Sequence, residues 1–580
     1  MADRAEGTRL AARILVEGTA EGRVLRSDMP ISFWGGVDAF TGVVIDRNHP
    51  LFGESIAGRI LAIPGGRGSC TGSSVLMELL LNGHGPAALI FSQPEEILTL
   101  GVIVAEEMFG TSIPVLQLHA DAFAQLRPGD SASIAEGVLH LARAPADFWG
   151  SGDHPPPPAP DVTPEFSEAD RGLLEGKEGA AAAMAMRIIR RMAVLQGAPR
   201  LIDVSRAHID GCIYTGAASL RFAETLAGLG GRVRVPTTLN AISVDQRRWT
   251  EHGTDPALAR PASALADAYV AMGAQPSFTC APYLLDAVPT TGDDIAWAES
   301  NAVVFANSVL GARTVKYPDY MDLCIALTGR APLAGPHRRE NRKVALRIVL
   351  PFPAGADDSF WPLAGYRVGL LSPAAIPLVE GLEEARPSAD DLKAFSAAFG
   401  TTSGAPMFHM AGVTPEAALE QSSADGLARI LVSLEDLQAS WRALNRAEET
   451  RIDLVALGNP HFSITEFEAL AKLVEGRERR PDVAVVVTTG RATEAAMKRR
   501  GLADPLARFG VRVVTDACWC TVSEPVVPPA ARTILTNSGK YAHYGPGLSG
   551  RGLRFAALAD CVEAATTGYS RNGPPAWLAG

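Results

Sequence analysis

The sequence predicts an α/β protein in two parts, a small β/α domain followed by a large body of several α/β subdomains. Three observations carry this reading. Residues 1–150 hold short apolar runs broken by glycine, arranged around one loop rich in glycine and serine, Pro64 to Ser74. A stretch with four consecutive prolines follows, SGDHPPPPAPDVTP at 151–164, which cannot belong to a helix or a central strand and reads as a stiff extended linker. From 165 to 580, strand-like runs, polar loops and helical runs alternate, the rhythm of parallel sheets covered by helices.

In the small domain, ARILVEG, GRVLRSD, ISFWGG and TGVVIDR read as short strands. Ile60 to Ile63 reads as the end of a buried strand, and Val75 to Leu81 as the start of a helix with Ser73 or Ser74 as its N-cap. AALIF and IPVLQL are strand-like, Glu95 to Phe109 helical, and SASIAEGVLHLA closes the domain as a last strand. A strand that runs through a glycine loop into a helix points N–H groups and the positive helix end at one spot, which suits a carboxylate or phosphate. The dinucleotide and P-loop patterns do not fit: Thr71 stands where the former needs its third glycine, and no Gly-Lys-Ser/Thr follows. Ser69, Cys70, Thr71, Ser73 and Ser74 remain as a hydroxyl-bearing anion loop, with a serine-capped tight turn as the plain alternative.

In the large part, Ala180–Leu195 reads as a helix with a solvated basic face, and Ile295 to Leu310 as another helix. Ligands of α/β sheets gather at the carboxyl ends of strands. The residues so placed include His208, Asp210, Cys212, Thr237, Thr238, Asn240, Cys280, Asn459, His461, Asp516, Cys518 and Cys520. TNSGKYAHYGPG (536–547) reads as a polar loop bearing Lys540. Each histidine also has a structural reading: His461 as a helix cap, His409 packed on its aromatic neighbour, His208 on a loop carbonyl.

Composition bounds the function. The chain has 580 residues, 47% hydrophobic and 20% charged, which suits a soluble globular protein of several domains. A net charge of −11 without a long basic block argues against nucleic acid as a partner. No apolar run reaches the ~18 residues of a membrane span, and the acidic start MADRAEGTRL is no signal peptide, so a cytoplasmic protein is expected. Seven cysteines, an odd number without zinc-finger spacing, exclude a disulfide framework and leave reduced thiols as candidate metal or cluster ligands.

Several long strings resemble the aconitase X branch of the aconitase superfamily. They are GRGSCTGSS (66–74), AHIDGC (207–212), RVPTTLN (234–240), TCAPY (279–283), IAWAESNAVVFANSVLGART (295–314), FHMAGVTPE (408–416), GNPH (458–461), TDACWC (515–520) and TNSGKYAHY (536–544). The resemblance implies an aconitase-like architecture: a small-subunit-like swivelling domain (1–150), the linker, and a large-subunit-like catalytic body (165–580). It also implies an iron–sulfur cluster, favoured as 2Fe–2S, and a dehydration reaction. The fused arrangement resembles the subgroup that converts cis-3-hydroxy-L-proline to Δ1-pyrroline-2-carboxylate. A mevalonate 5-phosphate dehydratase or another hydroxy-acid dehydratase is the alternative.

Carried over by resemblance, Ser73 is the base, with Ser69 in reserve and Arg67 as a nearby cation. Cys280, Cys324 and Cys518 are the cluster ligands, with Cys520 and Cys212 in reserve. Ser69, Gly72, Ser74, Thr237, Asn240, Ser300, Asn301, His409 and Lys540 are the substrate-binding candidates. The expected partner is a small molecule, with no nucleic acid and no membrane, and the expected state is a monomer.

Overall fold

A computed structural model describes residues 8–142, 155–160, 162–421 and 424–579. The N-terminal part contains β1 (Thr8–Ala11), β2 (Arg13–Val16), β3 (Ala20–Arg26), β4 (Ile60–Ile63), α1 (Gly72–Leu81), β5 (Ala88–Phe91), α2 (Ile97–Phe109), β6 (Val115–Gln117), α3 (Ala120–Ala124), β7 (Ser131–Ala135) and β8 (Val138–Leu141). Then come α4 (Glu168–Leu174), α5 (Ala180–Leu195), β9 (Leu201–Asp203), β10 (Ala207–Ile209), α6 (Ala217–Gly228), β11 (Thr237–Leu239), α7 (Pro256–Ala271), β12 (Ala296–Trp297), α8 (Ser300–Phe305), α9 (Met321–Thr328) and β13 (Arg330–Pro332). Next are β14 (Leu346–Val349), α10 (Phe360–Leu371), β15 (Pro377–Glu380), α11 (Ala389–Thr402), β16 (His409–Met410), α12 (Ala417–Gln421), β17 (Arg429–Leu431) and α13 (Leu434–Leu444). The chain ends with β18 (Leu454–Leu457), α14 (Ile464–Val474), β19 (Ala484–Thr489), α15 (Arg491–Arg499), α16 (Ala503–Phe509), β20 (Val511–Thr515), β21 (Thr533–Thr536), α17 (Gly539–Ser549), β22 (Gly552–Phe555) and α18 (Leu558–Thr567).

These elements form two compact units. The first runs to Val204 and adds Tyr214–Val235 and Tyr317–Ala334; the second holds Ser205–Ile213, Pro236–Lys316 and everything from Gly335. The first unit is built on an eight-stranded sheet in the order β1-β8-β7-β3-β4-β5-β6-β2. Its centre, β3 to β6, is parallel, and β4, β5 and β6 are buried at every position, as continuous apolar runs covered on both faces must be. Helices α1 and α2 pack on each other, α2 packs on α5, and α1 on α6. Arg187 and Arg191 of α5 reach across to Glu107 and Glu106 of α2, at 3.0 and 2.9 Å. Two arginines of the basic face expected to be solvated are therefore paired, while Arg190 is exposed as expected.

The second unit contains parallel sheets in the orders β11-β10-β12, β16-β15-β14-β17 and β20-β19-β18-β21-β22. Serine capping boxes start α11 and α13, at Ser388 with Asp391 and Ser433 with Asp436; Ser463 with Glu466 does the same for α14. That last box means Ser463, not His461, caps α14.

Some elements differ from the sequence reading. ISFWGG and TGVVIDR form only isolated bridges, because left-handed glycines at 35, 42, 53 and 58 keep turning the chain. SASIAEGVLHLA is a hairpin, with Glu136 and Gly137 both at positive φ in its two-residue turn. Residues 295–310 split into β12, α8 and a π-helical turn, Ala306–Leu310. The polar loop expected at 536–547 is mostly helix α17, since the Ser538 hydroxyl accepts from the Tyr541 N–H and caps it. Of the linker, 155–160 lacks regular structure and is largely exposed, while 151–154 and 161 lie outside the described residues.

Candidate active site and thiol centre

The serine loop belongs to the first unit. Helix α1 begins at Gly72 with Thr71 as N-cap and no side-chain capping bond, so Ser73 and Ser74 lie inside the first turn and their hydroxyls are used elsewhere. Ser73 is fully buried and its Oγ donates to the Cys70 carbonyl at 2.8 Å. That bond fixes the hydroxyl proton and leaves the oxygen's lone pairs as acceptors. Ser74 Oγ donates to Asp319 Oδ2 at 3.0 Å, and Ser69 Oγ to Thr71 Oγ1 at 3.0 Å. The Gly72 and Ser73 N–H groups are engaged in turn bonds to Ser69 and Cys70. Arg67 pairs with Asp46 at 2.9 Å. Gly72 has Ile97, Leu98 and Phe33 around its missing side chain, so α1 starts tight against α2.

In the second unit three thiols gather. Cys280 and Cys518 pack together with Ala241, and Cys520 lies against them. The Cys518 side chain thus lies in one packed group with Cys280 and Cys520. The reason is local. In Cys518-Trp519-Cys520, the indole of Trp519 is buried and donates to the Leu457 carbonyl at 2.7 Å, which anchors the loop from between its two sulfurs. Gly458 holds φ +92°, where any Cβ would collide with the Thr488 carbonyl, and this lets GNPH turn under the thiols. The N–H of His461 then donates to Cys280 Sγ at 3.3 Å and that of Cys520 to Cys518 Sγ at 3.2 Å. The His461 ring is held between the Ala517 carbonyl (2.9 Å) and Thr279 Oγ1 (3.1 Å). Burial lowers its pKa to about 4, so it is neutral, with Nε2–H donating to the carbonyl.

A polar network adjoins this group. Lys540, in the first turn of α17, donates to Glu299 Oε1 at 2.7 Å. Asn301 Nδ2 donates to the same oxygen at 2.8 Å and to the Cys280 carbonyl at 3.0 Å. The Tyr283 hydroxyl donates to Asn301 Oδ1 at 2.7 Å. Asn240 Nδ2 bridges the Asp210 carboxylate and Glu299 Oε2. Burial alone would raise the Glu299 pKa; the Lys540 ammonium and the donors around it overcome that and hold it well below the usual carboxylate range. Lys540 is correspondingly raised against the pull of burial, by Glu299 first and then by the three thiols.

The network collects Asn240, Asn301 and Lys540 from the sequence-derived candidates. Thr237 is buried in β11, and Ser300 opens α8 beside Glu299. His409 is elsewhere: buried in β16, it bonds the Arg342 carbonyl at 2.8 Å. Cys212 donates to the Ile209 carbonyl, and Cys324 is fully buried in α9 of the first unit. The sequence reading passed over Glu299 as a site residue, although it follows the strand run of IAWAES as a lone carboxylate.

Comparison with known proteins identifies the family. Models of the aconitase X swivel, first, second and third domains match residues 9–141, 163–340, 343–442 and 452–567. Over 98% of both chains, the sequence is 56% identical to the cis-3-hydroxy-L-proline dehydratase of Pseudomonas aeruginosa. The chain belongs to the aconitase X family. The cis-3-hydroxy-L-proline dehydratase of Hypocrea jecorina is 52% identical, over 97% of this chain and 96% of that one. The crystal structure of Thermococcus kodakaraensis aconitase X in its holo-form is 30% identical, with a TM-score of 0.63 over 69% of this chain and all of that one. The aconitase-like fold is therefore common to both.

Aconitase relatives suggest an iron–sulfur cluster. The donor chemistry of the second unit fits one. Three thiols packed in one group, with N–H groups of His461 and Cys520 and the Asn459 amide directed at sulfur, are what such a cluster uses and what tunes it. Among the described residues no three His, Cys, Asp or Glu side chains converge to hold a single metal ion.

Proposed function

We propose that this protein is a hydro-lyase that dehydrates cis-3-hydroxy-L-proline to Δ1-pyrroline-2-carboxylate. The 56% identity to a cis-3-hydroxy-L-proline dehydratase over the full length of both chains carries the reading.

The reaction removes the Cα proton and expels hydroxide from the neighbouring carbon. Ser73 is assigned the proton abstraction: the Cα–H bond breaks, its electron pair forms the C=C bond, and the C–O bond breaks. Ser73 acts as its alkoxide: its oxygen takes the Cα proton, the departing hydroxide takes up one proton and leaves as water, and Ser73 gives its gained proton back, so that one proton passes from Cα to the leaving group overall. The enamine then moves its N–H proton to carbon and becomes the cyclic imine. Burial of Ser73 keeps bulk water from competing for the proton. Lys540, with Asn240 and Asn301 beside it, is assigned the substrate carboxylate, because the Gly72 and Ser73 amides are occupied by their own turn. The remaining candidates, Ser69, Gly72, Ser74, Thr237 and Ser300, are assigned to substrate binding.

Cys280 and Cys518 are assigned to the cluster, in the 2Fe–2S form. Resemblance put Cys324 third; the thiol contacts favour Cys520 in that place. A bound cluster supplies Lewis acidity toward the departing hydroxyl oxygen. The same proposal has residues 1–150 as the small-subunit-like part, 165–580 as the catalytic body, and the whole as a cytoplasmic monomer. Among the described residues no helix is long and apolar enough to cross a membrane.

The test is an anaerobic assay of iron-reconstituted protein with cis-3-hydroxy-L-proline, trapping the cyclic imine with o-aminobenzaldehyde. Wild-type protein yields the adduct and Ser73→Ala does not. Full activity in a cluster-loaded Ser73→Ala variant contradicts the assigned base.

A further inference from the structure

Phe278 and Asp516 share a backbone property that side chains rarely tolerate: their φ angles are +41° and +67°. Each stands two positions before a cysteine, Cys280 and Cys518. A non-glycine residue stays in the left-handed region only where its surroundings impose it, and such strain gathers at functional loops.

Both strained residues lie against one side chain. Arg491, the first residue of α15, grips Asp516 with two parallel bonds, Nε to Oδ1 at 2.7 Å and Nη2 to Oδ2 at 2.8 Å. Its guanidinium also sits 4.5 Å from the centre of the Phe278 ring. Nη2 donates further to Gln246 Oε1 at 3.0 Å, and the Gln246 N–H returns to Asp516 Oδ2 at 3.2 Å. Gly490 makes room for this: a Cβ there would stand 3.1 Å from that of Thr279, so the segment leading to Cys280 lies directly on the start of α15. The Asp516 carbonyl accepts from the Ile242 N–H at 2.7 Å, next to Ala241, which packs on the thiols. A fork–fork pair fixes orientation as well as distance.

We infer that Arg491 is a positioning residue that holds the loops of Cys280 and Cys518 together in the iron-free protein, so that the donor set exists before iron arrives. The inference rests on the reading of Cys280 and Cys518 as cluster ligands, and the experiment separates the two. Arg491→Met keeps an apolar stem over Phe278 and loses the fork; Arg491→Lys keeps one charge and serves where the first variant does not fold. Arg247→Lys is the control. Arg247 belongs to the neighbouring ionic network, bonding Glu494 and Thr515 at 2.8 and 3.1 Å; Arg247→Lys keeps the positive charge that acts on Asp516 from there.

Two quantities are read beside the melting temperature. One is the rate at which diamide joins Cys280 to Cys518 in iron-free protein, the two thiols giving up two electrons and two protons to the diazene; linked peptides report it by mass. The other is the rate of cluster assembly, followed by iron content and visible absorbance. Arg491→Met is expected to slow both by roughly tenfold or more, the order of effect of losing a charged bidentate bond. Arg491→Lys falls between, and Arg247→Lys changes neither even at an equal loss of melting temperature. Wild-type rates in both Arg491 variants overturn the inference, as does an equal slowing in the control. If wild-type protein takes up no iron yet its disulfide rate depends on Arg491, the cluster assignment fails and the positioning role stands.

Discussion

Gly101 of α2 and Ser73 of α1 touch backbone to missing side chain: a Cβ on Gly101 would lie 2.7 Å from the Ser73 carbonyl oxygen and 3.2 Å from its Cα. Nothing flexible is available to yield there. Gly101→Ala must therefore push the first turn of α1 and carry Ser73 with it. The expected result is a loss of activity of about a hundredfold, the order that a 1 Å displacement of a reacting group costs. The melting temperature should fall by only a few degrees, about what 1–3 kcal/mol of overpacking costs a large chain. Steady-state kinetics beside thermal unfolding checks this.

The Lys540–Glu299 pair is largely buried, and its partners were placed by three separate segments. Removing one member of a buried pair strands the other charge, at about 3–5 kcal/mol. Lys540→Met is expected to destabilise the protein by that order, and adding Glu299→Gln to recover part of it. Denaturant unfolding of the two single variants and the double gives the coupling. A double variant less stable than Lys540→Met alone would argue against the pairing.

Glu95 gives the first unit a pH dependence. Its buried carboxylate accepts from the Leu98 and Thr99 N–H groups at the start of α2. Burial outweighs these bonds and raises the pKa from 4.5 to about 7. A folded-state pKa above the unfolded one means that the folded protein holds the extra proton between those values. The Glu95 contribution to stability is thus complete below about pH 4.5 and is lost as pH rises through about 7, amounting to roughly 3 kcal/mol at ~1.4 kcal/mol per pH unit. Glu95→Gln should flatten the fall in stability between pH 5 and pH 8, read by unfolding at each pH.

Iron content tests the thiol assignment residue by residue. Single serine replacements of Cys280, Cys518 and Cys520 are expected to lose most reconstituted iron and the visible absorbance that accompanies it. Cys561→Ser, in a core position of α18, and Cys324→Ser are expected to keep both. Loss of iron in Cys324→Ser with retention in Cys520→Ser would restore the set implied by resemblance.

The sequence made the strands legible where burial is two-sided. Ile60 to Ile63 and AALIF are apolar throughout and became β4 and β5. It misled where tertiary bonds decide. ISFWGG has strand composition, but the glycines beyond it turn the chain before a ladder can form. TNSGKYAHY looks like a loop until Ser538 is seen to cap it. At the candidate site, Asn240, Asn301, Cys280 and Cys518 were legible because they follow apolar runs or lie in distinctive strings. Glu299 and Arg491 were not, since their roles come from partners more than twenty residues away in sequence, Lys540 for the one and Asp516 for the other. Charge alone gives no sign of such pairing.

The identity of the substrate is the most direct point of test. Its measurement is kcat/KM of the anaerobic, iron-reconstituted protein for cis-3-hydroxy-L-proline and for mevalonate 5-phosphate, side by side. Iron-dependent turnover of the hydroxyproline to the cyclic imine, with none of the phosphorylated hydroxy acid, is the predicted result. Turnover of mevalonate 5-phosphate, with none of cis-3-hydroxy-L-proline, would contradict it.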